Sequence, residues 1–208
     1  MTTTPPDPWS EVRAAFSDSA QWFAATVQLA DGRWDQPGLG VWDVRALVGH
    51  TTRALLTLET YLSRPVATRD VRSTAEYYLV TAAAASDDEV AQRGRDAGAA
   101  LGPDPVSTVA AIVDRVPALL DRAEADLVVA TIAGGIRLGH YVPTRTFELV
   151  VHTLDLARAL GAAAEPPPAA ASAALRVVAD LAPRRGLAGP VLAAVTGREM
   201  LGPGFSIL

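Results

Sequence analysis

Apolar residues that recur every three to four positions along several long segments constrain this chain more than any other feature. Trp9, Val12, Phe16, Phe23 and Val27 keep that spacing, with Asp7-Pro8 ahead of them as an N-cap and a proline at the first helical position. A helix is predicted over about 8–29. Asp31 to Gly40, with three glycines and a proline, reads as a loop. Asp43 then caps a second helix whose apolar side is Val44, Leu47, Val48, Leu55, Leu58 and Leu62, and Arg64-Pro65 ends it. Ser73-Thr74-Ala75-Glu76 and Ser86-Asp87-Asp88-Glu89 fit capping boxes, which predict helices near 74–84 and 87–100.

A further amphipathic stretch, Pro105 to Leu127, carries Val109, Ile112, Val113, Val116, Leu119 and Leu120, with Pro117 as an internal kink point. Val128 to Val142 has β-branched residues around Gly134-Gly135 and no helical stripe, so it reads as a short hairpin. Pro143 begins a patterned helix that runs to about Leu160 and is closed by Gly161. After the stiff Pro166-Pro167-Pro168 linker, a last helix is predicted over about 169–181, and Pro183 to Leu208 as a tail wrapping the bundle. Four long amphipathic helices define an all-α antiparallel bundle, with additional short helices and a small hairpin before the last long one. The bundle is expected over 1–165, and 166–208 adds a C-terminal helix and tail to the same domain.

Composition removes several chemistries. The chain contains no lysine, so Schiff-base catalysis is excluded, and no cysteine, so disulfides, thiolate nucleophiles and cysteine metal sites are excluded too. A net charge of −5 gives no general attraction to nucleic acid or to an anionic membrane. The first residues have neither a basic nor an apolar signal segment, and no apolar run is long enough for a membrane span, so a cytoplasmic protein is expected.

Only three histidines remain as metal or proton-transfer candidates: His50, His140 and His152. His50 and His152 stand among apolar residues inside predicted helices, where each ring nitrogen needs a partner. Glu148 lies four residues before His152, which stacks the two side chains on one helix face. With His50 from another helix they form a three-ligand set that leaves coordination positions open for water or substrate. The bland alternative is a hydrogen-bonded core histidine and a chance surface pair. Two imidazoles and one carboxylate suit zinc, and also iron or nickel. Gly49, beside His50, marks close packing in a helix interior. Arg145, three residues before Glu148, is the candidate for orienting that carboxylate or meeting an anionic substrate; the alternative is a surface ion pair. Asp155 is placed to accept the second N–H of His152, or simply to face solvent. His140 and Tyr141 read as loop residues at a pocket mouth or on an exposed loop. The four tryptophans read as core residues, and Arg184-Arg185 is too short a basic run to argue for nucleic acid.

Three segments carry a resemblance. Trp42-Asp43-Val44-Arg45-Ala46-Leu47-Val48-Gly49-His50 resembles a W-x-V-R-x-L-x-x-H helix, and Arg145 to Gly161 resembles an R-x-x-E-x-x-x-H-x-x-D-L-x-x-x-x-G helix. Thr196-Gly197-Arg198 with Gly204-Phe205-Ser206 is similar to the closing segment of the same family. That family is the mycothiol-dependent maleylpyruvate isomerase N-terminal domain, within the DinB-like metal-binding superfamily. The resemblance implies a DinB-like four-helix bundle with a divalent metal, zinc first, on His50, Glu148 and His152. It also implies mycothiol, the actinobacterial thiol, as cosubstrate in an isomerisation or transfer on a small electrophile. The enzyme that names the family has a second, C-terminal domain that contributes to its active site. This sequence ends at Leu208, shortly after the bundle, so maleylpyruvate isomerase activity itself is not expected of it. The rival readings are hydrolysis by a metal-activated water and a non-catalytic metal- or ligand-binding bundle. The expected partners are therefore a small thiol and an electrophile, with a homodimer as the candidate assembly.

Overall fold

The structure is a computed structural model and describes residues 7–82 and 86–208. Among these residues it contains eight α-helices and one two-stranded hairpin. The helices are α1 (Pro8–Val27), α2 (Val44–Leu62), α3 (Thr74–Thr81), α4 (Asp87–Ala100), α5 (Pro105–Leu120), α6 (Leu138–Ala159), α7 (Pro168–Arg184) and α8 (Ala188–Val195). Strands β1 (Val128–Thr131) and β2 (Gly134–Arg137) pair antiparallel, Val129 opposite Ile136. No helix among the described residues is long and apolar enough to cross a membrane.

Helices α1 and α2 each pack against both α5 and α6, so these four enclose the main core. The apolar stripes read from the sequence point into it: Phe16, Phe23, Leu47, Leu55, Leu58, Leu149 and Leu156 are fully buried. Each such side chain contributes about 1.5–3 kcal/mol by leaving water. A second, smaller cluster lies between α6 and α7, where Phe147 and Val150 meet Ala170, Ala174, Val177 and Leu181. Helix α6 thus buries two faces, and its site residues leave from a rigid support. α4 lies against α2 outside the four-helix core.

That α4–α2 contact depends on missing side chains. A Cβ on Gly49 would stand 2.1 Å from the backbone nitrogen of Gly98, far inside van der Waals contact. The helices therefore touch backbone to backbone one residue away from His50. The indole of Trp42 closes the same seam, packing on Gly94 and donating from Nε1 to the Ala91 carbonyl (2.9 Å).

Several local signals work as written in the sequence. Asp7, Asp43 and Asp104 side chains accept backbone N–H groups at the starts of α1, α2 and α5. Ser86 and Glu89 form a complete capping box, and Gly161, at φ 64°, closes α6 with Ala162 N donating to Ala157 O. At Ser73 only half the box forms, because Glu76 accepts from the N–H of Arg72 instead of that of Ser73. The predicted end of this helix, 83–84, and the first six residues lie outside the described residues.

Other boundaries move. α6 starts at Leu138 and not at Pro143. Its apolar stripe extends backwards through the buried Leu138, Tyr141 and Val142, and the carbonyls of Leu127 and Ala125 receive the N–H groups of Leu138 and Gly139. Pro143 therefore sits inside a helix whose first two N-terminal donors are satisfied by those carbonyls. α5 stops at Leu120, three residues after Pro117, and the chain turns there to feed β1. The hairpin is shorter than the predicted segment, ending at Arg137, and the stretch after α2 borders both its strands through Pro65–Val129 and Val71–Ile136 bridges. α7 continues through Pro183 to Arg184, and the following residues form α8, none of whose residues is buried.

Candidate metal centre

The donors come from two core helices. α2 presents His50, and α6 presents Glu148 and His152 one turn apart. One nitrogen from each imidazole and one carboxylate oxygen all lie within 4.8 Å of one another. His152 Nε2 is 3.4 Å from Glu148 Oε2, and the two imidazole rings meet edge to face at 4.8 Å between centroids. The sequence spacing therefore does converge on one point. Side chains of Glu148 and His152 keep 21% and 17% of their surface, so the point is reachable from outside.

The second ring of contacts fixes these groups. His152 Nδ1 stands 3.3 Å from Asp155 Oδ2, the arrangement in which a ligating histidine has its other nitrogen held by a carboxylate. Asp155 thus faces His152, with Arg158 alongside it at 3.8 Å. Tyr78, on α3, donates its hydroxyl to Glu148 Oε1 (3.0 Å) and leaves Oε2 toward His152. Trp42 covers His50, ring centroids 4.4 Å apart. Among the described residues His50 Nδ1 is buried without a hydrogen-bond partner. A histidine with a buried nitrogen left without a partner, one of whose ring nitrogens lies near a carboxylate and a second imidazole, fits a divalent cation, and the all N/O donor set is chemically apt for zinc, iron or nickel.

Electrostatics separate the three donors. Burial and the charge of His152 push His50 down to about 4, so it is neutral near pH 7. Burial opposes ionisation of Glu148, but its contacts with His152, Arg145 and Tyr78 outweigh that and bring it down to about 2. Burial also works against a charged His152, yet the hydrogen bonds to Asp155 and Glu148 hold it up to about 9. Without a cation, a proton on His152 takes the cation's place between two carboxylates.

Arg145 is not the surface ion pair weighed as the alternative for it, and its charge helps hold Glu148 ionised. It makes no ion pair with Glu148 within 4.0 Å among the described residues and is no surface bridge. Its guanidinium lies over the rings of Tyr141 (5.0 Å) and Tyr77 (5.8 Å), its Nε donates to Thr144 Oγ1 (2.9 Å), and it lines the cavity beside the donors. Burial alone would lower its basicity, but Tyr141 and Glu148 hold it firmly protonated.

His140 and Tyr141 are in the first turns of α6, not in a loop. Tyr141 is fully buried beneath Arg145, and His140 does not line the cavity; its carbonyl instead accepts from Thr74. Tyr78, Trp42, Arg53 and Arg93 are site residues that the sequence reading missed. Arg53, three residues after His50, shares its helix face, so only that one carried a local signal. The tryptophans are core or core-packed residues, as expected.

No curated protein and no solved structure matches the chain. One family model does, over residues 6–157, a span that runs from α1 into the last turn of α6, includes all three donors and leaves out the Thr196–Ser206 segment. Both the donor geometry and that match point the same way: the chain belongs to the family of the mycothiol maleylpyruvate isomerase N-terminal domain.

Proposed function

We propose that this protein is a divalent-metal-dependent, thiol-using transferase or isomerase acting on a small electrophile, with mycothiol as the thiol. The observation that carries the reading is the convergence of three donors from two helices within 4.8 Å, at the wall of an open cavity. His50, Glu148 and His152 would hold the metal, zinc in the first instance, and a three-ligand set leaves room for one exogenous ligand. The chemistry such an ion supplies is acidification of a coordinated thiol, so that thiolate is available near neutral pH.

The chain's own groups do the rest. Asp155 keeps His152 in one orientation and tautomer. Tyr78 fixes which carboxylate oxygen of Glu148 faces the donors. Arg145, held on two aromatic rings, places a positive charge at the cavity wall for an electron-rich group of the substrate. We read the packing of α1, α2, α5 and α6 as a DinB-like bundle, and we place the protein in the cytoplasm, where a small thiol is kept reduced. The accessible cavity favours an enzyme over a sealed metal-binding bundle.

Metal content of purified protein tests the site: one equivalent is expected in the wild type and none in His50→Ala or His152→Ala. Calorimetric titration with mycothiol against its thiol-free pseudodisaccharide then tests the thiol. Tight binding of mycothiol alone, lost with the metal, supports the reading. Equal binding of both compounds would remove the thiol and leave metal-dependent hydrolysis as the better account.

A further inference from the structure

The two histidine donors are steadied by different means. His152 has a carboxylate beside its Nδ1, Asp155 Oδ2 at 3.3 Å. His50 has no counterpart: among the described residues nothing hydrogen-bonds its buried Nδ1. Partners of that kind orient a ligating imidazole, and losing one weakens metal binding. Without one, the imidazole is free to turn about the bond to its ring unless packing stops it. What meets the His50 ring is the indole of Trp42, with centroids 4.4 Å apart and planes tilted by 33°. The indole has a donor and no acceptor, so it cannot ligate; it acts on His50 by ring contact alone.

The indole is itself held in place. In the loop before α2, Trp42 N donates to Leu39 O and Trp42 O accepts from Gly38 N, both at 2.9 Å. That loop needs glycine twice: Gly40 has φ 57°, and a Cβ on Gly38 would stand 2.7 Å from the Asp43 carbonyl oxygen. From α4, the Ala91 carbonyl accepts from the indole Nε1 (2.9 Å), and a Cβ on Gly94 would stand 2.5 Å from the indole's Cε2 and Nε1. Gly94 is thus a notch that a side chain would fill. The ring touches α4 and His50 at once, although α4 supplies none of the three donors. Trp9 shows that this is no general property of the tryptophans. It is as deeply buried, and its Nε1 donates to the Ala123 carbonyl at the same 2.9 Å, but among the described residues it meets no histidine ring.

We propose that Trp42, seated in the Gly94 notch of α4, is the positioning residue for His50: its indole fixes the imidazole in the orientation at which it joins the donor set. The effect on metal affinity rests on the metal-site reading given under Proposed function. The two histidines are then oriented in two ways, His152 by a carboxylate and His50 by a ring face. Helix α4, which holds no ligand, gains a part in metal binding through the seat it gives the indole.

The test compares the full chain with Trp42→Leu, Trp42→Phe, Gly94→Ala and Trp9→Leu. Three quantities are read: zinc affinity by chelator competition, the visible spectrum of the cobalt-loaded protein, and the imidazole signals in proton–carbon NMR spectra of the metal-free protein. The chain has three histidines, so those signals can be assigned by substitution. In the wild type the indole's ring current should move a His50 signal upfield. Trp42→Leu should lose that displacement, weaken zinc about 10–100-fold and alter the cobalt bands. Trp42→Phe, which restores a ring, should recover part of each. Gly94→Ala changes no aromatic residue but denies the indole its seat, and it should show the same changes in smaller measure. Trp9→Leu should lower the melting temperature and leave zinc affinity and the cobalt bands as they are. The inference is overturned if Trp42→Leu binds zinc as the wild type does, or if Trp42→Phe is no better than Trp42→Leu. It is overturned equally if Gly94→Ala leaves zinc affinity unchanged, or if Trp9→Leu weakens zinc as much as Trp42→Leu, which would mark the loss as general destabilisation. Should Trp42→Leu fail to fold, Trp42→Phe and Gly94→Ala decide by the same readings against the wild type. A wild type that takes up neither metal while its His50 signals follow Trp42 would sink the metal reading and leave the indole's hold on His50 standing.

Discussion

Zinc and a proton compete for His152, and that competition has a calculable size. In the metal-free protein His152 is held up to about 9, His50 down to about 4 and Glu148 down to about 2. At pH 6 the first is therefore protonated, the second neutral and the third ionised. A metal entering at pH 6 must displace the His152 proton and no other, so about one proton is released per ion. This pH is low enough that ionisation of a coordinated water adds little. Between pH 6 and pH 8 the same equilibrium tightens apparent zinc affinity by about tenfold per unit, about a hundredfold overall, or about 2.7 kcal/mol. The slope flattens above pH 9 and steepens below pH 4, where His50 joins. Isothermal titration in buffers of different ionisation enthalpy gives the proton count, and chelator competition gives the affinity. Asp155→Asn, which removes the negative charge of one of the two acceptors, should move the flat region to lower pH. Zero protons released at pH 6 with a flat affinity from pH 6 to 8 would show that Asp155 and Glu148 do not hold a proton on His152. Two protons would show that burial does not keep His50 neutral.

Three further outcomes follow from the same contacts. The metal-free protein should lose stability in both directions. Below pH 6.5 the unfolded chain takes a proton that buried His50 refuses down to about 4; above that range the gain from charged His152, complete below 6.5, disappears as pH rises through 9. Thermal melts from pH 4 to 10 should trace this dome, and zinc should abolish its alkaline fall; an unchanged melting temperature from pH 7 to 10 without metal would contradict it. Tyr78→Phe keeps the ring against Phe147 but frees Glu148 Oε1, so zinc affinity should drop about 10–100-fold with little change in far-ultraviolet dichroism. Gly49→Ala drives a Cβ to 2.1 Å from Gly98 N and should cost about 1–3 kcal/mol by forcing α4 off α2. Gly189→Ala, with nothing within 4 Å, should instead be neutral or raise the melting temperature; equal melts for the two variants would show that the α2–α4 seam is not tight.

What could be read in advance divides along a physical line. Caps, stripes and the i, i+4 pair of Glu148 and His152 depend on residues a few positions apart, and local geometry turns them into structure with little outside help. Gly49 belongs here as well: a glycine inside a strong helical stripe announces close approach, though not that Gly98 is what approaches. The start of α6 was misread because Pro143 is a strong local signal, while the donors that allow an earlier start are satisfied by Ala125 and Leu127 across a hairpin. The same limit hid Tyr78, Trp42 and Arg93, whose places in the site depend on how α3, the loop before α2 and α4 pack against α2 and α6. The pattern matters for function. The three candidate donors sit on two helices and are legible in the sequence, whereas other residues that line the same cavity come from elements brought there by tertiary packing. Arg93 of α4 and Ile132 at the hairpin tip are such positions: they line the cavity through packing alone, and no short motif records them.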